Sequence, residues 1–214
     1  MEERYNAQYL RDMLIALDSA SMEEAVAYYE RAEQDAAGDD WLFAELGRAD
    51  LFYLLLKVLR RHDIGHPWLY ARCREIEKAP DNYLDLWARE HYKSTIITFG
   101  LTVQDILRDS EVTVGIFSHN RPGSKAFLRQ IKHEFETNDI LKALYPDVLW
   151  GDPKAEAPKW SEDEGIVVRR KSNPKEATVE AWGLVDGMPT GKHFGVMVYD
   201  DVVTEGSVNT PDMM

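Results

Sequence analysis

Lys93 and Ser94 carry the residue types, in the setting, from which chemistry is most directly read. They lie in the stretch Trp87-Ala88-Arg89-Glu90-His91-Tyr92-Lys93-Ser94-Thr95, between the short apolar segment Tyr83-Leu84-Asp85-Leu86 and the apolar Ile96-Ile97-Thr98-Phe99. The pattern predicts a strand, a turn and then a helix. Backbone N–H groups at a helix start lack intrahelical partners and sit at the positive end of the dipole, so such a junction suits a phosphate. There Lys93 would reach terminal phosphate oxygens as a point charge. The Ser94 hydroxyl would sit on a magnesium ion bridging them. A phosphate loop usually has glycine immediately before the lysine and again five residues earlier, because the backbone must come close to the phosphates. This chain has Tyr92 and Trp87 there.

About a hundred residues downstream, Phe194-Gly195-Val196-Met197-Val198-Tyr199 runs into Asp200-Asp201. An apolar strand ending in acids is the second half of a phosphate-loop ATPase, with the carboxylate at the strand end holding magnesium and the following acid orienting the attacking water. Two solvated aspartates in a turn are the plainer reading of either acid alone.

Three segments together carry a resemblance: Arg-Glu-His-Tyr-Lys-Ser-Thr at 89–95, Ile-Phe-Ser-His-Asn at 116–120 and Val-Tyr-Asp-Asp-Val-Val-Thr at 198–204. With them the chain resembles the N-terminal ATPase domain of the tailed-phage terminase large subunit, the motor that packages viral DNA. Members of that family commonly replace the glycine-rich loop with a variant carrying arginine four residues before the lysine, as Arg89 stands here. The resemblance implies an α/β fold of the P-loop NTPase (ASCE) type, a mostly parallel sheet flanked by helices. Residues 1–80 would be a helical lead-in and 81–214 a partial ATPase core. It implies ATP and Mg2+ as cofactors, bound by Arg89, Glu90, His91, Tyr92, Lys93, Ser94 and Thr95, with Ser94 and Asp200 on the metal. Arg89 would stabilise the γ-phosphate, Asp201 or Glu205 would orient water, and the region from His66 to Tyr83 would hold the base. Implied partners are double-stranded DNA, a portal protein, the terminase small subunit and further copies in a ring, in the cytoplasm of the host cell. The family continues beyond the acidic strand with a coupling motif, further core strands and a nuclease domain, so an incomplete sheet with an uncovered edge is expected and DNA cleavage is not. A truncated, non-catalytic interaction module of the same fold, or another P-loop ATPase such as a helicase, are the alternatives.

The elements that must position these residues are legible from periodicity. Leu10, Met13, Leu14 and Leu17 predict a first helix, and Ser21-Met22-Glu23-Glu24 is a capping box for a second ending near Gly38. Asp40 would cap a third helix with an apolar face from Trp41 through Leu59 to Arg60-Arg61, and Pro67 suits the first turn of a fourth reaching about Lys78. After a helix from Ser94 to about Arg108, the run at 112–117 predicts a buried strand with Ser118-His119-Asn120 at its carboxyl end, where open α/β sheets place ligands. A helix from about Gly123 to Asn138 would carry Phe127, Ile131 and Phe135 on one face, with Pro146 closing it off. Residues 151–165 predict a long surface loop, and 166–168 with 178–182 predict a hairpin joined through Asn173-Pro174.

Composition bounds the reading. The chain has 214 residues, 29% charged and 44% hydrophobic, with a net charge of −13. Its single cysteine, Cys73, rules out an internal disulfide and is expected to be an inert buried thiol. The six histidines show no ligand-like spacing, and no apolar run is long enough to span a bilayer. Duplex DNA is polyanionic, so an isolated chain this acidic should bind it weakly. Arg169-Arg170-Lys171 with Lys175, and Lys125, Arg129 and Lys132, are the basic groups from which DNA contacts would come, and Lys192 could reach a neighbour's phosphate in a ring.

Overall fold

The computed structural model describes residues 6–203 apart from Pro80, Arg89 and Met188. These divide into two compact units, one comprising residues up to Gln104 together with Asp139–Tyr145, the other Asp105–Asn138 with the residues from Pro146 onward. The predicted boundary near residue 80 falls inside the first.

The first unit is helical, and its helices start where caps predict. Asn6 accepts from the N–H groups of Gln8 and Tyr9 to open α1, Ala7–Ser19. Ser21 and Glu24 form both bonds of the capping box at the start of α2, Met22–Asp35. The third helix departs from the prediction in two ways. Asp39, one residue earlier than expected, caps α3, Asp40–Ala49, by accepting from the Leu42 N–H at 3.1 Å. The helix then stops at Asp50, whose backbone is extended (φ −132°, ψ 105°), and restarts as α4, Leu51–Tyr53, running on as the π-helical segment Leu54–Val58.

The break has a cause that periodicity cannot show. Asp50 is fully buried and caps the new helix by accepting from the Tyr53 N–H at 3.0 Å. The Tyr29 hydroxyl donates to it at 2.6 Å and the Arg74 guanidinium pairs with it. Glu77 accepts from the Leu51 N–H at 2.8 Å and from Gln104 at 3.1 Å, and burial followed by the Asp50 charge raises its carboxyl above the ordinary range. Arg74, Glu77 and Cys73 come from α5, Pro67–Glu77, which opens on Pro67 as expected, with His66 Nδ1 accepting from the Trp68 N–H at 3.1 Å. Cys73 is buried and its thiol pushed up by that burial, as expected of an inert one. α8, Asp139–Leu144, and Tyr145 complete the unit. The Tyr145 hydroxyl donates to the Ala44 carbonyl at 2.9 Å and lies 2.2 Å from where a Cβ on Gly47 would stand, so only glycine fits there.

Tyr83–Leu86 is not the strand the sequence predicts. It is extended but joins no sheet, and Leu84 and Leu86 are 78% and 84% exposed. The alternation is that of a strand, with Asp85 and Trp87 turned inward, but no neighbour covers the two leucines. The helical run beyond it starts at Lys93 as expected, forms a π-helix over Ser94–Leu101 and continues as α6, Thr102–Arg108.

The second unit is an α/β sheet of five strands in the order β2-β3-β4-β1-β5. β1, Val114–Ser118, is central and fully buried, which accounts for its unbroken apolar run. It pairs in parallel with β4, Val179–Gly183, and with β5, Val196–Tyr199. β3, Gly165–Ile166, joins β4 antiparallel through Ile166 and Val179, which is the predicted hairpin, and β2, Trp160–Ser161, joins β3 antiparallel. The sheet is therefore mixed, with β4, β1 and β5 parallel and the antiparallel pairing confined to the short β2 and β3 at one edge. α7, Arg121–Thr137, packs Leu128, Ile131 and Phe135 inward, and Phe127 is only half-buried. It ends before α8, so Pro146 does not close it. The expected loop at 151–165 holds a short helix, α9, Pro153–Glu156, and β2. Among the described residues β5 lies at the sheet edge, with Met197 and Tyr199 exposed.

Candidate functional site

The first unit contains a cleft of about 680 Å³. Its walls come from the start of α5 (His66, Trp68, Arg72) and from the extended segment and turn that follow (Asp85, Trp87, Glu90 to Tyr92). Pro67 and the His66 cap fix where α5 begins, and hence where Trp68 projects. Arg72, one helical turn on, donates twice to Asp85, at 2.6 and 2.8 Å, and its guanidinium lies 5.0 Å from the Trp87 ring centroid. Asp85 also accepts from the Trp87 indole N–H. The acid thus holds a cation and an aromatic ring against each other, and stacking of guanidinium on indole reinforces the arrangement.

Trp68 contacts Trp87 edge to face, with centroids 5.0 Å apart at 69°, and contacts the His91 ring at 5.6 Å and 83°. A planar ligand sandwiched between two rings needs them about 7 Å apart, twice an ordinary contact distance. Trp68 and Trp87 are too close for that. A flat ligand would lie instead on an outer ring face, and Trp68 and Tyr92 are both exposed. Asp63 and Glu90 add carboxylates to the wall, and Arg72 is already matched by Asp85. The cleft suits the uncharged part of a ligand and disfavours a polyphosphate inside it.

The turn leading to Lys93 shows what replaces the missing glycines. Glu90 (φ +65°) and Tyr92 (φ +62°) both adopt the left-handed backbone. Tyr92 occupies the position before the lysine, so the conformation that glycine would supply is present, held by a residue that pays for it in strain. Trp87, at the other glycine position, has no such φ. Helix begins at Lys93 without a side-chain cap hydrogen bond. Lys93, Ser94 and Thr95 are half-buried there, beside Glu90, His91 and Tyr92. Arg89 lies outside the described residues.

In the second unit Asp200 follows β5. It is buried, and its N–H donates to the Phe117 carbonyl at 2.9 Å. Asp201 is exposed in the left-handed conformation (φ +49°), and its carbonyl accepts from the His119 N–H at 3.2 Å. The two acids therefore differ, one sunk at the strand end and one presented outward, so the plainer expectation of two solvated aspartates holds only for Asp201. Glu205 lies outside the described residues. Among those described, no cluster of three or more His, Cys, Asp or Glu is placed to hold a metal.

Basic residues assigned to DNA are engaged within their own unit. Lys125 pairs with Asp163, Arg129 with Glu162 at 2.7 Å, Lys132 with Glu136 at 2.7 Å and Arg169 with Glu156 at 3.3 Å. Arg170 donates to the Glu176 carbonyl and Lys175 to that of Gly191. Lys192 reaches the buried Glu180 at 2.6 Å rather than facing outward. A nucleic-acid backbone would have to displace these acids.

Sequence reasoning placed a base between His66 and Tyr83 but named no residue, and Trp68, Arg72 and Asp85 were missed. The available signal was Trp68 directly behind a helix-starting proline. Compared with known family models, with curated proteins and with solved structures, the chain matches none.

Proposed function

We propose that this chain binds ATP and hydrolyses it, as the ATPase domain of a DNA-packaging motor of the terminase large-subunit kind. The observation that carries the reading is the aromatic cleft at Trp68, Trp87 and His91, continuous in sequence with a left-handed turn at Tyr92 and a helix start at Lys93. The base lies on an exposed ring face of the cleft, outside which the phosphates remain. Lys93 neutralises charge on the β- and γ-phosphates, and N–H groups of the helix start donate to phosphate oxygens. Ser94 is the oxygen donor that would reach magnesium, an ion that takes few protein ligands and leaves the rest of its shell to water and phosphate. That ion supplies charge neutralisation on the transferred phosphoryl group. Arg89 is the candidate for the γ-phosphate. Catalysis here is positioning and electrostatics, since phosphoryl transfer to water asks for no covalent intermediate.

A second reading, a non-catalytic interaction module, is favoured by the extended segment at 83–86, which joins no sheet, and by the neutralised basic residues. Thermal unfolding of the whole chain with and without Mg-ATP separates the two. Ligand at about a hundred times its dissociation constant stabilises a fold by roughly 2.7 kcal/mol. The expected result is an upward shift that Lys93→Ala and Trp68→Ala each remove. A well-folded wild type that shows no shift at millimolar nucleotide hands the chain to the second reading.

A further inference from the structure

The carboxyl end of β1 carries an arrangement that the nucleotide reading does not use. Chain order and sheet order part company there, because the chain leaves β1 through α7 and, after α8, α9, β2 and β3, lays β4 along one side of β1, while β5 lies on the other. Ligands of open parallel sheets sit beyond the strand ends at such a switch point. What stands there is the start of α7, a helix of 17 residues whose first N–H groups favour an anion. An anion is already in place. The Arg121 N–H donates to Asp186 Oδ2 at 2.5 Å, beside the Asn120 cap on the Gly123 N–H at 3.0 Å. Asp186 is exposed, in a loop aligned along the strand end by Leu184 N–H to the Ser118 carbonyl (3.0 Å) and Val185 N–H to the His119 carbonyl (3.1 Å).

Ser118 adds the independent observation. It is 4% exposed, and its Oγ has no hydrogen-bond partner among the described residues, although buried hydroxyls are ordinarily bonded. The side chain lies against the first turn of α7, its Cβ 3.3 Å and its Oγ 3.7 Å from where a Cβ on Gly123 would stand. Gly183, at the end of β4, lets the backbones close up, for a Cβ there would lie 2.3 Å from the Arg121 nitrogen and 2.4 Å from Asp186 Oδ2. Arg121 sets its guanidinium 5.5 Å from the Trp182 ring centroid. Asp200, level with Ser118 on the neighbouring strand, opposes any anion. Replacing one anion by another adds little to that repulsion.

We propose that the start of α7 is a phosphoryl-binding site whose resident competitor is Asp186: when that carboxylate swings out, a phosphate group takes its hydrogen bond from the Arg121 N–H and one from Ser118 Oγ. The inference does not rest on the nucleotide reading. It is tested by titrating the whole chain with inorganic phosphate, followed by phosphorus NMR line broadening. Asp186→Asn keeps an acceptor oxygen for the Arg121 N–H, so the helix stays capped, while the competing charge is gone. Phosphate is expected to bind this variant at least tenfold more tightly than wild type, and adding Ser118→Ala should reverse most of that gain. AMP titrated alongside identifies whether a free or a nucleotide-borne phosphoryl group is preferred, and either preference supports the site. Equal phosphate affinity in wild type and Asp186→Asn overturns the proposal, as does a gain that Ser118→Ala leaves intact. A missing thermal shift with Mg-ATP removes the nucleotide reading alone.

Discussion

Tyr92 and Asp105 each hold a conformation or a charge at a cost, and both costs are measurable. Left-handed backbone costs a non-glycine residue about 1–2 kcal/mol, and Tyr92 is exposed enough that its ring contributes little packing. Tyr92→Gly is therefore expected to raise the urea midpoint by the equivalent of about 1 kcal/mol, whereas Tyr92→Ala should give no gain. Asp105 in α6 is pushed up to about 6 by burial, with Arg108 3.9 Å away pulling only weakly the other way. The folded protein then binds this proton more tightly than the unfolded chain. Stability from Asp105 is present at low pH and is lost as pH rises from about 3.8 through about 6. With its side chain 26% exposed, Asp105→Asn should stabilise by about 1–3 kcal/mol at pH 8 and by nothing at pH 4, read from unfolding midpoints across that range. Placement of this kind was partly legible: Lys93 and Ser94 stand at a helix start, and Asp200 and Asp201 follow an apolar strand, as the sequence pattern predicts. The left-handed φ of Tyr92 was not, because side-chain identity argued against it.

At the scale of elements, local signals were read well and distant ones poorly. The capping box at Ser21 and the proline at 67 act within one turn, and both helices start where the chain announces them. The interruption at Asp50 depends on Tyr29 and Arg74, which lie 21 and 24 positions away in sequence, so no window around Asp50 contains its reason. For the same reason Tyr83–Leu86 looked like a strand: alternation was present, but a strand also requires a partner edge. The Asp50 site makes a direct prediction. Removing Arg74 leaves a buried carboxylate facing a phenol and a second acid, a situation that typically costs 3–5 kcal/mol. Arg74→Ala should lose about that much in chemical denaturation, and Asp50→Asn with Arg74→Met together should recover a large part of it, because neither charge is then stranded.

For the molecule as a whole, charge argues more about partners than about fold. A net charge of −13, with basic side chains already paired to acids of their own unit, leaves little to neutralise a duplex, and any DNA affinity of the isolated chain should vanish at physiological salt. No helix among the described residues is long and apolar enough to cross a membrane. The α/β character of the second unit was implied by the resemblance and fits the buried apolar run at 112–117, but the mixed strand order was not legible, since β2 and β3, which bring in the antiparallel pairing, are only two residues long.

The hydroxyl of Tyr145 against Gly47 sets a timetable for the chain's assembly. The Ala44 carbonyl it bonds lies 101 positions upstream, and α8 arrives only after most of the central strand and its following helix have been made. During synthesis the amino-terminal helices therefore wait, with a hollow at Gly47, for a segment from beyond another unit, a long loop closure of the sort that slows folding. A chain ended at Gln104 should emerge loosely packed and protease-sensitive. Supplying residues 139–145 by a short linker after Gln104 should restore resistance in limited proteolysis.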